Sequence, residues 1–343
     1  MFKAKKIVVT GGAGFIGSTF LRYLLKNQEN IEITHVDALT YAGNLVSLAD
    51  IMNHPRHQFV KADIRNAEEM FRIIGDADLI VNFAAESHVD RSIDGPREFI
   101  ETNINGTFHL LEAARKIHSQ GKEVRYVQVS TDEVYGSLDH QGQFTEQSPL
   151  APNSPYSASK AAADLLVRSY FHTFGLNTVI TRCSNNYGPY QFPEKLIPLM
   201  ISKARQNQPL PVYGDGLNVR DWIHVEDHAR GVWQAAILGR AGEVYNFGSD
   251  NEWTNLAIVR KILALLGRPE SLIQFVKDRP GHDRRYAIDA SKAKRELNWR
   301  PEIDFATGLS RTIDWYVDNE KWLQSVQSGE YRSFFARWYE ERK

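Results

Sequence analysis

The sequence predicts an α/β fold in which a doubly wound, parallel Rossmann sheet is joined to a smaller, discontinuous α/β lobe that binds substrate. Apolar runs of strand length alternate with helical stretches through the first half of the chain, a glycine-rich turn links the first strand and helix, and the alternation fails after residue 184. Strands that alternate with helices are typical of parallel βαβ units, and 343 residues are enough for two lobes. We therefore assign residues 1–184 and 221–250 to a cofactor-binding domain and residues 185–220 and 251–343 to the second lobe.

The first half of the chain contains six predicted strands and three long predicted helices. The fifth strand has alternating apolar residues and ends in a polar run. Before the third long helix, Ser154 is typical of an N-cap and Pro155 of the first helical position. The predicted strands span residues 6–10, 31–36, 58–61, 79–83, 124–129 and 177–182, and the predicted helices span residues 15–26, 96–117 and 156–174.

The second half is less regular. Residues 210–221 favour a β-hairpin around Asp215 and Gly216, because this dipeptide is typical of tight hairpin turns. The other predictions are a loop at residues 185–189, helices at 195–205 and 225–238, a strand at 244–248 and a loop at 278–282.

The composition excludes several classes of protein. Lysine and arginine number 41 against 42 aspartate and glutamate residues, and the net charge of −1 argues against a nucleic-acid partner. No apolar run approaches the roughly 20 residues of a membrane span, so we expect no membrane association. The residues before the first strand are too few for a secretory signal, and Cys183 is the only cysteine, which favours a reducing cytoplasm. No spacing typical of metal ligands occurs, so we expect no metal site.

The glycine-rich turn predicts a dinucleotide site. Gly11, Gly14 and Gly17 lie between the first strand and the first helix, where glycines allow a pyrophosphate to approach the helix N-terminus. Asp37 ends the second strand about 20 residues on, as dinucleotide binding requires. A carboxylate binds a ribose 2′-hydroxyl but repels a 2′-phosphate, and no arginine follows in residues 38–41, so we predict NAD rather than NADP. Further candidates are Phe15, Ile16, Ala38, Leu39, Thr40, Asp63, Ile64, Ala84 and Ala85, although ordinary loop polarity explains the last four almost as well.

The fifth strand leads into Thr131, Asp132 and Glu133. Ligands of open α/β sheets lie in the crevice beyond the carboxyl ends of the strands, so acid–base residues at this position would face a substrate. An ordinary polar turn that closes a strand has the same composition, and it is the rest of the chain that favours a catalytic role.

Tyr156 and Lys160 predict a hydride-transfer site. They are i and i+4 on a predicted helix and therefore share a face. A phenol with a pKa of about 10 is a poor base at neutral pH, but a lysine ammonium and the nicotinamide of NAD would both stabilise the phenolate and lower that pKa. With Thr131 nearby, Tyr156 would take the proton of an alcohol while the carbon gives hydride to NAD.

These features together resemble the extended short-chain dehydrogenase/reductase family, whose members modify nucleotide sugars. The Gly-x-x-Gly-x-x-Gly turn, Asp37, Ala84-Ala85 and Tyr156-x-x-x-Lys160 carry the general resemblance. It is narrowed to the nucleotide-sugar 4,6-dehydratases, over essentially the whole chain, by the segments 86–92, 131–136, 279–283 and 328–331.

The resemblance implies dehydration of a nucleotide-linked hexose, with dTDP-glucose as the expected substrate. Tyr156 and NAD would oxidise C4, Glu133 would remove the C5 proton, and Asp132 would protonate the departing C6 hydroxyl. The hydride would then return to C6, so NAD would be regenerated in each cycle. Because successive strand residues point to opposite faces, both carboxylates can reach one sugar only if the backbone turns at Asp132.

The same resemblance implies a homodimer and the remaining site residues. The helices at residues 96–117 and 156–174 would pair across a two-fold axis, through residues such as Leu110, Leu111, Leu165 and Tyr170 that could equally pack inside. For the cofactor it adds Phe83, Ser87, Thr102 and Asn186, and for the substrate it implies Ser87, Thr131, Asn185, Lys195, Leu196, Pro211, Tyr213, Arg220, Asn255, Arg279 and His282.

Several alternatives stay open. A nucleotide-sugar 4-epimerase shares the tyrosine and the lysine but has no use for Asp132 and Glu133, and a 4,6-dehydratase could instead act on a UDP-, CDP- or GDP-hexose. A decarboxylase of nucleotide-linked uronic acids commonly has serine where Asp132 stands. An NAD-binding regulatory protein without turnover would not need Tyr156 and Lys160.

Overall fold

Seven parallel strands form the central sheet of the protein. The computed structural model describes residues 1–327 and Trp338, so the resemblance at residues 328–331 lies outside the described residues. All seven strands that were predicted lie in this sheet, which confirms the doubly wound parallel fold. The described strands are β1 (Lys6–Thr10), β2 (Glu32–Asp37), β3 (His57–Lys61), β4 (Leu79–Asn82), β5 (Arg125–Thr131), β6 (Asn177–Cys183), β7 (Asn185–Tyr187), β8 (Leu210–Tyr213), β9 (Val219–His224), β10 (Val244–Phe247), β11 (Glu252–Thr254) and β12 (Ile273–Val276).

The order across the central sheet is β10–β6–β5–β4–β1–β2–β3, and every neighbouring pair is parallel. The chain direction across the sheet reverses between β1 and β4, which is the switch point of a Rossmann fold. Ile7 and Val9 point into the core on one face, and Val8 points into the core on the other. This burial on both faces explains the nearly continuous apolar strands.

Helices cover both faces of the sheet. The core on one face includes residues of the helices α1 and α8, and the core on the other includes residues of α2, α5 and α6. The α-helices are α1 (Phe15–Asn27), α2 (Ala67–Ile74), α3 (Val89–Asp94), α4 (Pro96–Phe99), α5 (Thr107–Ser119), α6 (Pro155–Phe174), α7 (Leu196–Arg205), α8 (Val225–Leu238), α9 (Asn255–Leu265), α10 (Ser291–Glu296), α11 (Phe305–Asp318) and α12 (Glu320–Val326).

The helix predicted at residues 96–117 is interrupted. It consists of α4, a π-helical segment at Ile100–Gly106, and α5. Inside the π segment, the side chain of Asn103 exchanges two hydrogen bonds with the backbone of Glu86 and donates a third to Ser159. A π segment inside a helix is frequent at functional sites, and no periodicity in the sequence marks it. The prediction for α6 is confirmed, because Ser154 forms a capping box with Ser157 ahead of Pro155.

The second lobe has its own core, formed with residues of α7, α9, α11 and α12. Two small sheets accompany these helices, in the orders β11–β9–β7 and β12–β8. Two predictions are wrong here. Residues 185–187 form the strand β7 rather than a loop, and residues 210–221 do not form a hairpin.

The predicted hairpin fails because its two strands belong to different sheets. A turn does form, with the amide of Gly216 bonded to the carbonyl of Tyr213 at 3.0 Å. β8 then pairs with β12, and β9 pairs with β7 and β11. Buried Asp221 helps to hold β9 in place, because it accepts hydrogen bonds from the amides of Ser249 and Asn251. Such long-range pairing overrides the local turn signal.

The two predicted lobes share packing. Ala293 on α10 and Trp299, which the prediction places in the second lobe, are buried in the core that includes α1 and α8. The domain boundaries stay a prediction. In the described part of the chain, no helix is both long and apolar enough to cross a membrane.

Candidate active site

A cleft with a free volume of about 310 Å³ lies beyond the carboxyl ends of the central strands, where ligands of this fold bind. It brings together the polar residues that follow β1, β2, β3, β4, β5 and β6. Every predicted cofactor residue except Leu39 lines it. These are Gly11, Gly14, Phe15, Ile16, Gly17, Asp37, Ala38, Thr40, Asp63, Ile64, Phe83, Ala84, Ala85, Ser87, Thr102, Tyr156, Lys160 and Asn186.

The glycine turn brings three elements into close contact. A Cβ on Gly11, whose φ is +73°, would overlap the backbone of Ala84 after β4. A Cβ on Gly17 would overlap the carbonyl oxygen of Gly11. Gly14 is the N-cap of α1 and offers no side chain to its amides. A helix N-terminus left in this state is a binding site for a phosphate group.

Asp37 stands where the ribose of a dinucleotide would lie. Its Oδ2 accepts a hydrogen bond from the amide of Ala13 at 2.9 Å, and its Oδ1 accepts one from the amide of Leu39 at 2.8 Å. Each carboxylate oxygen has a second lone pair, which is free in this arrangement to accept a ribose hydroxyl. The side chain of Leu39 packs against the protein core, so only its backbone serves the site.

Arg65, which lies outside residues 38–41, does line the cleft. The guanidinium of Arg65 bonds to Asp63 at 2.7 Å and to Glu98 at 2.9 Å. These two acids compete with any 2′-phosphate for that cation. The residues present therefore fit NAD.

The backbone turns at Asp132, which places both carboxylates in one cleft. Asp132–Tyr135 is a turn of 3₁₀-helix that begins directly after β5. Thr131 is its N-cap, and the Thr131 Oγ1 accepts a hydrogen bond from the amide of Glu133 at 3.3 Å. Asp132 and Glu133 consequently line the same cleft instead of opposite faces of a strand.

The two carboxyl groups differ in their electrostatic surroundings. Burial, followed by the charge of Glu133, raises the pKa of Asp132 well above its usual range. Within the described part of the protein, the Oδ2 of Asp132 is buried and has no hydrogen-bond partner. Burial also raises the pKa of Glu133, but the cations Arg279, Lys195 and Arg220 oppose the rise. Such a division favours the predicted assignment of Asp132 as the acid and Glu133 as the base.

Tyr156 and Lys160 lie buried on the first two turns of α6. The Nζ of Lys160 donates a hydrogen bond to the carbonyl of Val129 at 2.7 Å, which ties the helix to β5. Burial, followed by Glu133, raises the pKa of Tyr156 well above its usual range, and a hydrogen bond with Thr131 lowers it. The side chains alone therefore do not lower the pKa of Tyr156 as the sequence predicts, and they leave its phenol protonated.

A second cavity of about 160 Å³ adjoins the cleft, and Glu133, Asn185, Glu194 and Lys195 line both. Of the predicted substrate residues, Ser87 and Thr131 line only the cleft. The others line the second cavity, namely Asn185, Lys195, Leu196, Pro211, Tyr213, Arg220, Asn255, Arg279 and His282.

Three cations surround the second cavity. Lys195 Nζ donates a hydrogen bond to the carbonyl of Ser87 at 2.9 Å. Arg279 pairs with Asp90 at 3.2 Å. The guanidinium of Arg220 stacks 4.2 Å from the ring centre of Tyr286. The cavity is also lined by Asp90, Glu133 and Glu194, but Asp90 pairs with Arg279 and Glu194 pairs with Arg91. Lys195 and Arg220 can therefore bind an anionic group such as a diphosphate.

His282 is poorly suited to proton transfer at neutral pH. Burial, with the charges of Arg279 and Arg220, lowers the pKa of His282 to about 4. Its Nδ1 lies 2.6 Å from a carboxylate oxygen of Asp278. A binding or structural role is the one its surroundings support.

Sequence reasoning missed two residues of this site. Glu194 is buried and bonds to Arg91 at 3.0 Å. Tyr286 lines the second cavity. Glu86, in the segment after β4 that the sequence predicts to line the cofactor, lines the cleft, and burial raises its pKa to about 7. The position of Glu194 next to Lys195 was a usable signal, whereas Tyr286 approaches Arg220 only through the fold.

Comparisons with known proteins find similar sequences among the nucleotide-sugar 4,6-dehydratases. Residues 8–312 match the family model described as GDP-mannose 4,6 dehydratase. A dTDP-glucose 4,6-dehydratase of Neisseria meningitidis is 51% identical over 347 residues, with 96% of this chain and 98% of that protein covered. One of Xanthomonas campestris is 52% identical over 341 residues, with 95% and 97% covered.

Solved structures extend the likeness to three dimensions. A dTDP-glucose 4,6-dehydratase of Streptomyces venezuelae, with NAD and TYD bound, is 50% identical with a TM-score of 0.91 and covers 94% of this chain and 99% of its own. One of Bacillus anthracis in complex with NAD is 50% identical with a TM-score of 0.87, covering 94% and 100%. A UDP-glucose 4-epimerase of Thermus thermophilus is 28% identical with a TM-score of 0.83, covering 92% and 99%.

Proposed function

The chain belongs to the GDP-mannose 4,6-dehydratase family, and we propose that it converts dTDP-glucose to dTDP-4-keto-6-deoxyglucose and water, as an NAD-dependent hydro-lyase. One observation carries the proposal. Asp132 and Glu133 occupy one turn at the end of β5 and line one cleft, and Glu133 also lines the adjoining cavity together with Lys195, Arg220 and Arg279. An elimination needs an acid and a base on the same sugar, and this arrangement supplies both.

NAD, held by the glycine turn and Asp37, would accept hydride from C4 of the sugar and return it to C6 as C5 is reprotonated. The positive charge of a bound nicotinamide would stabilise the phenolate of Tyr156, which could then take the proton of the C4 hydroxyl; the hydroxyl of Thr131 also favours the phenolate. Lys160 is four residues beyond Tyr156 and shares its helix face. Its buried side chain donates a hydrogen bond to β5. The lysine thereby orients the helix that carries the base.

The elimination uses the two carboxyl groups. Glu133 takes the proton at C5, which is acidic once C4 is a ketone. Asp132 gives its proton to the departing C6 hydroxyl, as its raised pKa allows. A positioned acid or base is worth roughly 10²- to 10⁴-fold in rate, so each carboxyl group is expected to be essential for turnover.

The second cavity holds the nucleotide part of the substrate. Arg220, Arg279 and Lys195 supply the positive charge that a diphosphate requires. Since Glu133 lies at the junction of cleft and cavity, a diphosphate held there would leave the hexose beside the carboxyl pair.

The nearest alternative is a nucleotide-sugar 4-epimerase, which needs only the oxidation step. The fold alone does not separate the two, since a UDP-glucose 4-epimerase shares it at 28% identity. The acid–base pair at Asp132 and Glu133 favours the dehydratase. A decarboxylase is disfavoured because Asp132 takes the place of the serine common in that group.

Product identification tests the proposal. The protein is incubated with dTDP-glucose and with UDP-, CDP- and GDP-hexoses, and products are identified by mass spectrometry and NMR. Substrate deuterated at C4 should give product deuterated at C6, and reaction in D₂O should place deuterium at C5. Label that stays at C4, or a product that keeps its C6 oxygen, would replace the dehydratase with the epimerase.

We further propose a homodimer that works in the cytoplasm. Of the four residues considered for the dimer face, Leu110, Leu111 and Tyr170 pack inside the protomer, and Leu165 on α6 is 55% exposed. Ile100, Phe108 and Phe174, on the neighbouring helical segments or on α6, are also exposed apolar residues. Burying them against a second copy supports the dimer. A single 39.1 kDa species in sedimentation at micromolar concentration would contradict it.

A further inference from the structure

A buried ion pair behind the site connects to the helix of the oxidation step. Arg182 lies on β6, and its Nε donates a hydrogen bond to the Oδ2 of Asp164 at 2.9 Å. Their side chains are 6% and 1% exposed. Asp164 lies on α6 one turn beyond Lys160; burial lowers the pKa of that lysine, and the charge of Asp164 opposes the lowering. One end of the pair therefore belongs to the helix that carries Tyr156.

The same guanidinium reaches the turn of the elimination step. Its central carbon lies 4.8 Å from the ring centre of Tyr135, within the range of a cation–π contact. Tyr135 is the last residue of the turn that begins at Asp132. Its hydroxyl donates a hydrogen bond to Asn246 on β10 at 2.9 Å. Arg182 thus contacts both the helix that carries Tyr156 and the turn that carries the two carboxyl groups.

The pair is not arranged for stability alone. Burying two charges costs free energy, and a buried ion pair is repaid only when its remaining polar atoms are also satisfied. Among the described residues, the Oδ1 of Asp164 is buried and has no hydrogen-bond partner. The buried charges cost folding free energy, and they lie next to two groups of reactive residues. Positioning those residues explains the network better than a contribution to stability does.

We propose that Arg182 is a positioning residue that sets the catalytic helix and the acid–base turn in register, so that oxidation and elimination act on one bound sugar. This inference rests on the proposed function. Tyr156 must meet the C4 hydroxyl, while Asp132 and Glu133 must meet C6 and C5. A displacement of about 1 Å in such a site can cost roughly 100-fold in rate, and Arg182 contacts both the helix and the turn.

Three variants separate the arms of the network. Tyr135→Leu removes the ring over Arg182, so elimination should slow more than in Tyr135→Phe, which keeps the ring and loses only the bond to Asn246, while oxidation at C4 continues and reduced NAD accumulates. Asp164→Asn keeps the shape and removes the charge on the helix side, so the oxidation step should slow. Arg182→Lys keeps the charge and loses the planar fork, so both steps should slow. Single-turnover absorbance of the reduced nicotinamide, with quenched-flow product analysis, measures the two steps, and losses of roughly 10- to 100-fold are expected.

Arg125 provides the matched control at the opposite end of β5. It is also buried, donates hydrogen bonds to Asn177 and to the carbonyl of Ala236, and lies 4.6 Å from the ring centre of Phe2. Arg125→Lys should lower thermal stability and leave both single-turnover rates as in the wild type. A folded, NAD-bound Arg182→Lys protein with wild-type rates in both steps would overturn the proposal, and so would equal losses in Arg125→Lys.

Amide hydrogen exchange separates this proposal from the proposed function. In Arg182→Lys, exchange should quicken in residues 131–136 and in residues 155–164 together, and Arg125→Lys should change neither segment. If the wild type does not dehydrate dTDP-glucose, the proposed function fails and the exchange pattern still decides the positioning role. If Arg182→Lys does not fold, Tyr135→Leu decides it, since elimination no slower than in Tyr135→Phe would refute the role of the contact between Arg182 and the turn.

Discussion

Replacing Asp132 with asparagine separates the acidity of this residue from its shape. The side chain is 2% exposed and bonds to Thr131 at 3.3 Å. Asparagine has the same size and can still accept that hydrogen bond, so the turn should keep its structure. Only the proton that leaves with the C6 hydroxyl is lost.

The expected loss of rate follows from that role. A general acid contributes roughly 10²- to 10⁴-fold, which corresponds to about 2.7–5.4 kcal/mol of barrier. Oxidation at C4 depends on Tyr156 and should continue. Turnover of Asp132→Asn should therefore fall by about this factor while reduced, enzyme-bound NAD builds up.

Although the turnover of Asp132→Asn should fall, its folding stability should equal or exceed that of the wild type. Because burial raises the pKa of Asp132, the folded state holds a proton that the unfolded chain releases above its usual value of 3.8. Stability from this group is fully present below that value and is lost as pH rises towards the folded pKa. Asparagine does not ionise, so the variant avoids this loss of folding free energy. The loss is about 1.4 kcal/mol for each unit by which the folded pKa exceeds the unfolded pKa. For 343 residues, 1 kcal/mol corresponds to a Tm change of about 1.4 °C.

Two measurements check the reasoning. Stopped-flow absorbance should show a rapid rise of reduced NAD that persists in the variant, and calorimetry should show a Tm at pH 7 equal to or above that of the wild type. The difference in Tm should grow as the pH rises above 3.8 towards the folded pKa. Turnover within tenfold of the wild type would refute the acid role of Asp132, and a Tm several degrees lower would refute its cost to stability.

Four further outcomes are expected. Glu133→Gln should lower turnover by roughly 10²-fold or more and also let reduced NAD accumulate; loss of the C4 oxidation itself would contradict its role as the C5 base. Tyr156→Phe should abolish the reduced-NAD signal, and a normal signal would mean that another residue takes the proton of the C4 hydroxyl. Gly17→Ala should release NAD, because the added Cβ overlaps the backbone of the turn, whereas Gly95→Ala, with its nearest neighbour at 3.9 Å, should retain it; full cofactor in the first variant, measured after denaturation, would refute the assignment of the turn. Leu165→Glu should halve the mass seen in sedimentation, and an unchanged dimer would move the interface elsewhere.

The division of labour between Asp132 and Glu133 depends on neighbours from distant parts of the chain. Burial raises the pKa of Glu133, and Arg220 on β9 and Arg279 in the loop after β12 oppose that rise. For Asp132, one residue away, burial and the charges of Glu133 and Asp221 raise the pKa strongly, and Arg220 opposes them. The proposed roles of base and acid follow from this difference in the surrounding charges.

Much of the cofactor half of the protein was predictable from sequence. The turn of Gly11, Gly14 and Gly17, the position of Asp37 and the spacing of Tyr156 and Lys160 are local patterns, and each lies where the pattern places it. Local backbone geometry and strand burial dictate such residues, so they leave a periodic or spaced signal. The predicted strands of the central sheet appear for the same reason.

Prediction failed where distant segments determine the structure. The turn at Gly216 was read as a hairpin, but β8 and β9 pair with strands from other parts of the chain. The π segment at Ile100–Gly106 accompanies the bonds of Asn103 to Glu86 and Ser159, which no local pattern announces. Pairing and packing between distant residues outweigh a preference of one turn or one helix.

The sequence by itself determined the parallel sheet, the dinucleotide turn and the residue types of the candidate site, because strand periodicity and glycine-dependent turns are local requirements. The tertiary structure alone decided that the chain turns at Asp132, so that both carboxyl groups face one cleft. It alone brought Arg220, Arg279 and Lys195 to Glu133 and left Asp132 buried. Protonation depends on burial and on charges a few ångströms away, and those distances exist only once the chain has folded.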